Sequence, residues 1–392
     1  MTPRGAAIAL GAYVATLARA ARLRDRAALD AWQERRLQGW LRDTAGVAQL
    51  SDLPVMDRAG LMADFAACNS LGLTVEAASA IAEGRAPAPQ GYHVGLSTGT
   101  TSGRRMPYVI SEEERFVWLG TILAKALGLA ALRRPRVAVA LPRGSALYDA
   151  AGAGRVLPLC FVPLGEGFAG ARDRLMAFRP DVLVAPPRLL HWLALQRAPL
   201  TPRHIFAAAE MLDPPDSAAI AAGFPKARLG EIYMATEGLF AVSCRHGRLH
   251  LAEDCLRFDL VPAGDGTAEA VVTDFTRAAQ VMARYRTGDL VRVVPCTCGS
   301  PLRAVVLAGR AVDRIGGHAP DLLRDTVLAS GATDFRLVQR GEGDPVLTLP
   351  HGAATAAPKA ALEALLRRPV RVEVRPLPLP EGEKLRRVMR IP

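Results

Sequence analysis

Ser97-Thr98-Gly99-Thr100-Thr101-Ser102-Gly103-Arg104-Arg105 is a run of nine residues without a large apolar side chain, set between Val94-Gly95-Leu96 and Met106-Pro107-Tyr108-Val109-Ile110. Such a run cannot serve as core. Its glycines let the backbone take positive φ and approach a ligand closely, its hydroxyls supply donors, and its arginines bring fixed charge. Together these describe a cradle for phosphate oxygens. No Gly-Lys-Ser/Thr follows at the spacing of a Walker loop, and the residue types alone also allow a polar hairpin turn.

Three later segments narrow the choice. Ile232-Tyr233-Met234-Ala235-Thr236-Glu237-Gly238 reads as a buried strand end opening into a polar turn. Arg284-Tyr285-Arg286-Thr287-Gly288-Asp289 is a compact polar cluster, and Gly309-Arg310-Ala311-Val312-Asp313 follows the strand-like Ala304-Val305-Val306-Leu307. In this order the motifs resemble those of the adenylate-forming superfamily of acyl-CoA synthetases and adenylation domains: a Ser/Thr/Gly loop, Tyr-x-x-Thr-Glu, Tyr-Arg-Thr-Gly-Asp and Gly-Arg-x-x-Asp. The resemblance runs from about Tyr92 to Arg387. Phe178-Arg179-Pro180-Asp181-Val182-Leu183-Val184-Ala185-Pro186-Pro187 and Cys296-x-Cys298-Gly299 look most like the branch holding phenylacetate-CoA ligase and the synthetases that adenylylate a deazaflavin coenzyme.

The composition suits a large folded enzyme. With 392 residues, half of them hydrophobic, the chain can bury a core and supply two domains. The net charge of +11 comes mostly from scattered arginines, and with only 5% aromatic residues there is no stacking platform for nucleic acid. Small polyanions such as ATP and coenzyme A, or simply an arginine-rich proteome, account for it better. The apolar stretch Gly5–Leu17 resembles a signal segment, yet Leu23, Leu29, Trp32, Leu37 and Leu41 continue it at helical spacing with charges between. It reads as amphipathic helices packing on the main domain. No uninterrupted apolar run reaches the roughly 18 residues of a membrane span. Six cysteines, two of them in Cys-x-Cys, suit a reducing cytoplasm and a metal site.

Short apolar runs alternate with helical ones through Val137–Leu141, Gly154–Phe161, Ala171–Phe178, Val182–Ala185 and His204–Ala209, which predicts an α/β fold with doubly wound parallel sheets. Glu210 and Tyr233 then fall at carboxyl strand ends, where ligands bind. From 239 to 308 glycine-punctuated hairpins predict a β subdomain. The expected division is an N-terminal domain 1–308, opening with a helical stretch 1–50, and a small α+β lid 309–392.

The resemblance assigns tasks residue by residue. It implies that Ser97, Thr98, Gly99, Thr100, Thr101, Ser102 and Gly103 hold the β and γ phosphates of ATP, that Thr236 touches the α-phosphate, and that Glu237 ligates Mg²⁺, a hard cation wanting carboxylate oxygen. Tyr233 would lie against adenine, Glu210 would border the base, and Asp289 would accept from both ribose hydroxyls. Arg310 would contact ribose or phosphate. Lys384, in Gly382-Glu383-Lys384, would be the catalytic lysine of the lid, although the family pattern has glycine directly before it. Two further departures are the missing phosphate-loop lysine and Val312 at the expected hinge aspartate, with Asp313 next.

Cys296 and Cys298, with Cys244, His246 and His250 on a hairpin some 46 residues upstream, offer soft ligands for a four-coordinate structural zinc. Strand alternation after the turn at Gly247 favours Cys244, His250, Cys296 and Cys298, with His246 in reserve. The function expected is Mg-ATP-dependent adenylation of a small-molecule carboxylic acid, an aromatic one, with transfer to CoA or a carrier-protein thiol. A nucleotidyltransferase leaving AMP on a substrate hydroxyl is the alternative. The setting expected is cytoplasmic, without nucleic acid or membrane as partner, and a homodimer is allowed.

Overall fold

The computed structural model describes residues 2–97, 105–141, 157–235, 238–381 and 384–392. Thr98, Gly99, Thr100, Thr101, Ser102, Gly103, Thr236 and Glu237 lie outside the described residues, as do Arg104, Gly382 and Glu383.

The N-terminal helix Pro3–Arg22 is capped by Thr2, whose hydroxyl accepts from the Gly5 N–H, and carries Pro at its start, where no N–H is missed. It packs along the helix Glu112–Leu127, and the approach is close because Gly120 has no side chain: a Cβ there would lie 2.1 Å from the Ala9 carbonyl oxygen. With its 3₁₀ extension to Arg133 this second helix is long and apolar enough to cross a bilayer, a property the sequence reading overlooked by requiring an unbroken apolar run. In the fold it is a packing helix, and its Lys125 forms a buried ion pair with Asp254.

Strands β1 (Tyr92–Leu96) and β2 (Pro107–Ser111) form an antiparallel ribbon, with the Ser/Thr/Gly run as its connection. Strands β3 (Val137–Leu141), β4 (Leu159–Pro163), β5 (Val182–Ala185), β6 (His204–Ala208) and β7 (Arg228–Ala235) are parallel, in the order 4-3-5-6-7. Helices Gly167–Phe178, Pro187–Leu195 and Pro214–Gly223 cross between them, and Leu175, Leu189, Leu193 and Ile220 seal one face with no accessible surface.

The β subdomain expected over 239–308 is continuous with that sheet. After β7 the chain doubles back as β8 (Gly238–Ser243), followed by β9 (Leu249–Leu251), β10 (Arg257–Gly264), β11 (Thr267–Thr273), β12 (Tyr285–Val294) and β13 (Ala304–Arg310). The result among the described residues is one sheet of eleven strands, parallel in one half and antiparallel in the other. Strand β8 is hydrogen-bonded antiparallel to β7, so ladder pairing passes from one half to the other without a gap.

Beyond Arg310, strands β14 (Arg336–Arg340), β15 (Val346–Leu349), β16 (Arg371–Val374) and β17 (Val388–Ile391) form a four-stranded sheet in the order 16-15-14-17. Helices Pro320–Ala329 and Ala356–Leu366 cover it, and Leu323, Val327, Phe335, Leu337, Leu347 and Leu362 fill its own core.

Candidate nucleotide site and metal centre

Five segments deliver polar groups to one place. Strand β6 ends at Ala208, and Ala209 then takes φ +66°, a left-handed conformation that costs an alanine about 1 kcal/mol and turns Glu210 inward. The Glu210 side chain is 1% exposed and lies beside the equally buried Arg188, with Nε and Oε1 3.3 Å apart. Among the described residues Arg188 Nε and Nη1 find no hydrogen-bond acceptor. Burial pushes the Glu210 carboxyl up to about 7, against the opposing pull of Arg188, Lys384 and the Leu385 backbone N–H.

Tyr233, near the end of β7, packs edge-on against Phe240 with ring centroids 5.0 Å apart, and its hydroxyl donates to Asp289 Oδ2. Asp289 stands on β12 directly across from Arg310 on β13, whose Nε donates to Asp289 Oδ1 at 3.0 Å and whose Nη2 donates to the Thr287 carbonyl at 3.2 Å. Lys384 enters from the segment leading to β17. Burial lowers its pKa, with Glu210 the main counterweight and Arg310, Asp289 and Arg188 also within electrostatic reach. Five expected residues, Tyr233, Glu210, Asp289, Arg310 and Lys384, therefore converge, although they span more than 170 positions of sequence.

Ser97 stands at the mouth of the ribbon loop, its N–H donating to the Met106 carbonyl at 2.8 Å and its Oγ accepting from the Met106 N–H at 2.9 Å. At the expected hinge, Val312 is 53% exposed, whereas Asp313 is buried and ion-paired with Arg386. Phe206 and Phe240 are core residues.

The four chosen metal ligands come together at the far end of β9 and β13. Ligand atoms of Cys244, His250, Cys296 and Cys298 all lie within 4.8 Å of one another. Cys244 Sγ is 3.7 Å from Cys296 Sγ, and Cys298 Sγ is 3.4 Å from His250 Nε2. His250 Nδ1 lies 2.7 Å from the Leu302 carbonyl, which orients the ring so that Nε2 faces the cysteines. His250 beside it holds the Cys296 thiol down at about 6, toward the thiolate a metal needs. Two thiols, a polarised third and an imidazole fit a tetrahedral zinc. His246 is outside the cluster, its ring meeting Thr297 and Arg245 while its N–H points at Cys244 Sγ.

Four residues of the site's surroundings were not foreseen. Arg188, Asp213, Asp216 and Arg387 are all buried. Arg188 directly follows the Pro186-Pro187 pair, and Arg387 closes the run Lys384-Leu385-Arg386-Arg387. Asp213-Pro-Pro-Asp216 carried a signal, since acidic residues at a helix start normally cap it, and here they do not.

No protein-family model matches the chain, and no curated protein matches it in sequence. Solved structures do match in shape. A 2-hydroxyisobutyryl-CoA ligase in its postadenylation state with R3-HIB-AMP superposes with a TM-score of 0.65 at 18% identity, covering 93% of this chain and 89% of that one. The anthranilate CoA ligase AuaEII with anthranoyl-AMP gives 0.55 at 16%, over 74% and 65% of the two chains. Fatty acyl-adenylate ligases from E. coli and L. pneumophila give 0.52 at 14%, over 75% and 68%. The chain has the fold of the adenylate-forming acyl-CoA and acyl-AMP ligases.

Proposed function

We propose that this chain activates a carboxylic acid with Mg-ATP, forming an acyl adenylate and releasing pyrophosphate, and then passes the acyl group to CoA or another thiol. The observation that carries the reading is the convergence of Tyr233, Asp289, Arg310 and Lys384 at the strand ends. The acid's oxygen must attack the α-phosphorus in line while negative charge builds on the phosphoryl oxygens, so catalysis consists mainly of positioning and charge compensation. Lys384, an ammonium desolvated beside the site, supplies that charge. Asp289 has lone pairs beyond those taken by Tyr233 and Arg310 with which to accept from ribose hydroxyls. Arg310 holds that carboxylate oriented. Ser97 and the loop Thr98–Gly103 would hold the terminal phosphates, Thr236 the α-phosphate, Glu237 would ligate magnesium, and Glu210 would border the base.

In this reading residues 309–392 act as a lid that carries Lys384, and the zinc at Cys244, His250, Cys296 and Cys298 staples β8, β9 and β13 without touching chemistry. The fold neighbours named above act on hydroxyalkyl, aromatic and fatty acids, and an aromatic acid remains our choice. Acid-dependent exchange of labelled pyrophosphate into ATP, run over a panel of those three classes, tests the reading. Mass detection of a thioester after adding CoA tests the acceptor. Absence of exchange with every acid, together with an AMP adduct on a hydroxyl substrate, would replace it with nucleotidyl transfer.

A further inference from the structure

Acidic and basic positions meet in step at the junction of the two sheets. Glu210, Asp213 and Asp216 recur every third residue where the chain leaves β6, while Glu381, Lys384 and Arg387 recur every third residue on the way into β17. Lys384 acts on Glu210, and Arg387 spans Asp213 and Asp216. Glu381 anchors the other end of the segment, accepting from the Phe168 N–H at 3.1 Å.

Arg387 is held from both sides. Its Nη1 donates to Asp213 Oδ2 at 2.8 Å and to Asp216 Oδ2 at 2.5 Å, and Nη2 donates to Asp216 Oδ1 at 3.0 Å. Its Nε donates to Asp334 Oδ1 at 2.9 Å, and its own carbonyl accepts from the Leu337 N–H at 2.7 Å. Asp213 stands at the N-cap of helix Pro214–Gly223, yet its side chain makes no cap hydrogen bond and serves Arg387 and Arg324 instead. The other groups facing this seat are His191, whose Nδ1 lies 2.7 Å from Asp216 Oδ1, and Arg336, near Asp334. Asp216 is fully buried and Arg387 is 2% exposed.

We propose that Arg387 is a positioning residue: its clamp on Asp213 and Asp216 fixes the register in which the segment 384–387 docks, and so delivers Lys384 to its place beside Glu210. A buried guanidinium shared by three carboxylates has one well-satisfied seat, and slipping the segment by a residue would take the bidentate partner from Asp216 and leave Asp213 and Asp334 with one arginine each. Lysine cannot replace the fork, because an ammonium is a point charge and cannot meet Asp216 bidentately while also reaching Asp334. The proposal rests on Lys384 being the catalytic lysine of the reading above, but the docking it describes can be measured without turnover.

The test pairs two readouts on the full chain, using Arg387→Ala, Arg387→Lys and Asp216→Asn. Hydrogen–deuterium exchange should show the amides of Leu385, Arg386 and Arg387 opening about tenfold faster or more in each variant, with helix Ala356–Leu366 as protected as in the unaltered protein. Acid-dependent pyrophosphate exchange should slow by about tenfold or more through kcat, with KM for ATP nearly constant and Arg387→Lys no rescue. Unchanged exchange of 385–387 in Arg387→Lys and Asp216→Asn would overturn the proposal. So would loss of protection spread equally over the whole small sheet, which marks a merely structural residue. If the unaltered protein exchanges pyrophosphate with no acid, yet the amides respond as stated, the clamp stands and the adenylation reading falls.

Discussion

Asp289 and Arg310 are cross-strand partners in the β12–β13 ladder, and the guanidinium Nε donates to the carboxylate at 3.0 Å. Two motifs that are separated in sequence are thereby one structural unit, and Tyr233 joins it from the opposite side. Both carboxylate oxygens are thereby held in place.

Asp289→Ala should weaken ATP binding by about 1.5 to 3 kcal/mol, the loss expected when charge-assisted hydrogen bonds to two hydroxyls disappear. Calorimetric titration with ATP is the check, and an unchanged affinity would remove Asp289 from the nucleotide site.

Lys384→Ala should slow pyrophosphate exchange by about a hundredfold or more while ATP still binds, because its charge is matched to the transition state. Equal collapse of ATP affinity would make the lysine a ground-state ligand.

Glu237→Gln should abolish most exchange and leave thermal unfolding unchanged, since the substitution removes a metal-binding oxygen without altering volume. Near-normal exchange over a magnesium titration would displace Glu237 from that role.

Glu210 bears on stability. Its folded pKa of about 7 is raised from the ordinary 4.5, so the stability it contributes is present below about pH 4.5 and lost as pH rises through 7. Glu210→Gln should remove that slope and at pH 8 stabilise the protein by up to about 3 kcal/mol. Denaturant unfolding of both proteins at pH 5 and 8 measures the difference, and parallel pH dependences would mean that Glu210 is not buried as described.

Purified protein should carry about one zinc per chain. Cys298→Ser should lose it and melt earlier, whereas Cys68→Ser and Cys160→Ser, remote from the cluster, should keep it. Metal analysis with parallel melting curves decides, and a metal-free protein of full stability would return the four residues to ordinary side chains.

The sequence made the parallel half legible because strands such as Val182–Ala185, buried on both faces, appear as unbroken apolar runs. The metal ligands were legible because spacing around a turn constrains which side chains return to one face. Strands β15 and β17 were missed. Val346–Leu349 lies just after a Gly-Asp-Pro turn, and Val388–Ile391 is interrupted by Arg390, so neither presents a clear period. The Arg387 seat was invisible for a different reason: it exists only where two distant segments meet, and no local pattern records a partner more than 170 positions away.

The order 16-15-14-17 has a consequence for how the chain is made. Until Val388–Ile391 emerges from the ribosome, β14 presents an unpaired edge, an open template for any other extended segment nearby. The same few residues that close this edge follow Lys384 immediately. A chain whose β17 has not yet docked therefore stays open to mispairing and lacks its seated lysine together, and one docking event ends both conditions.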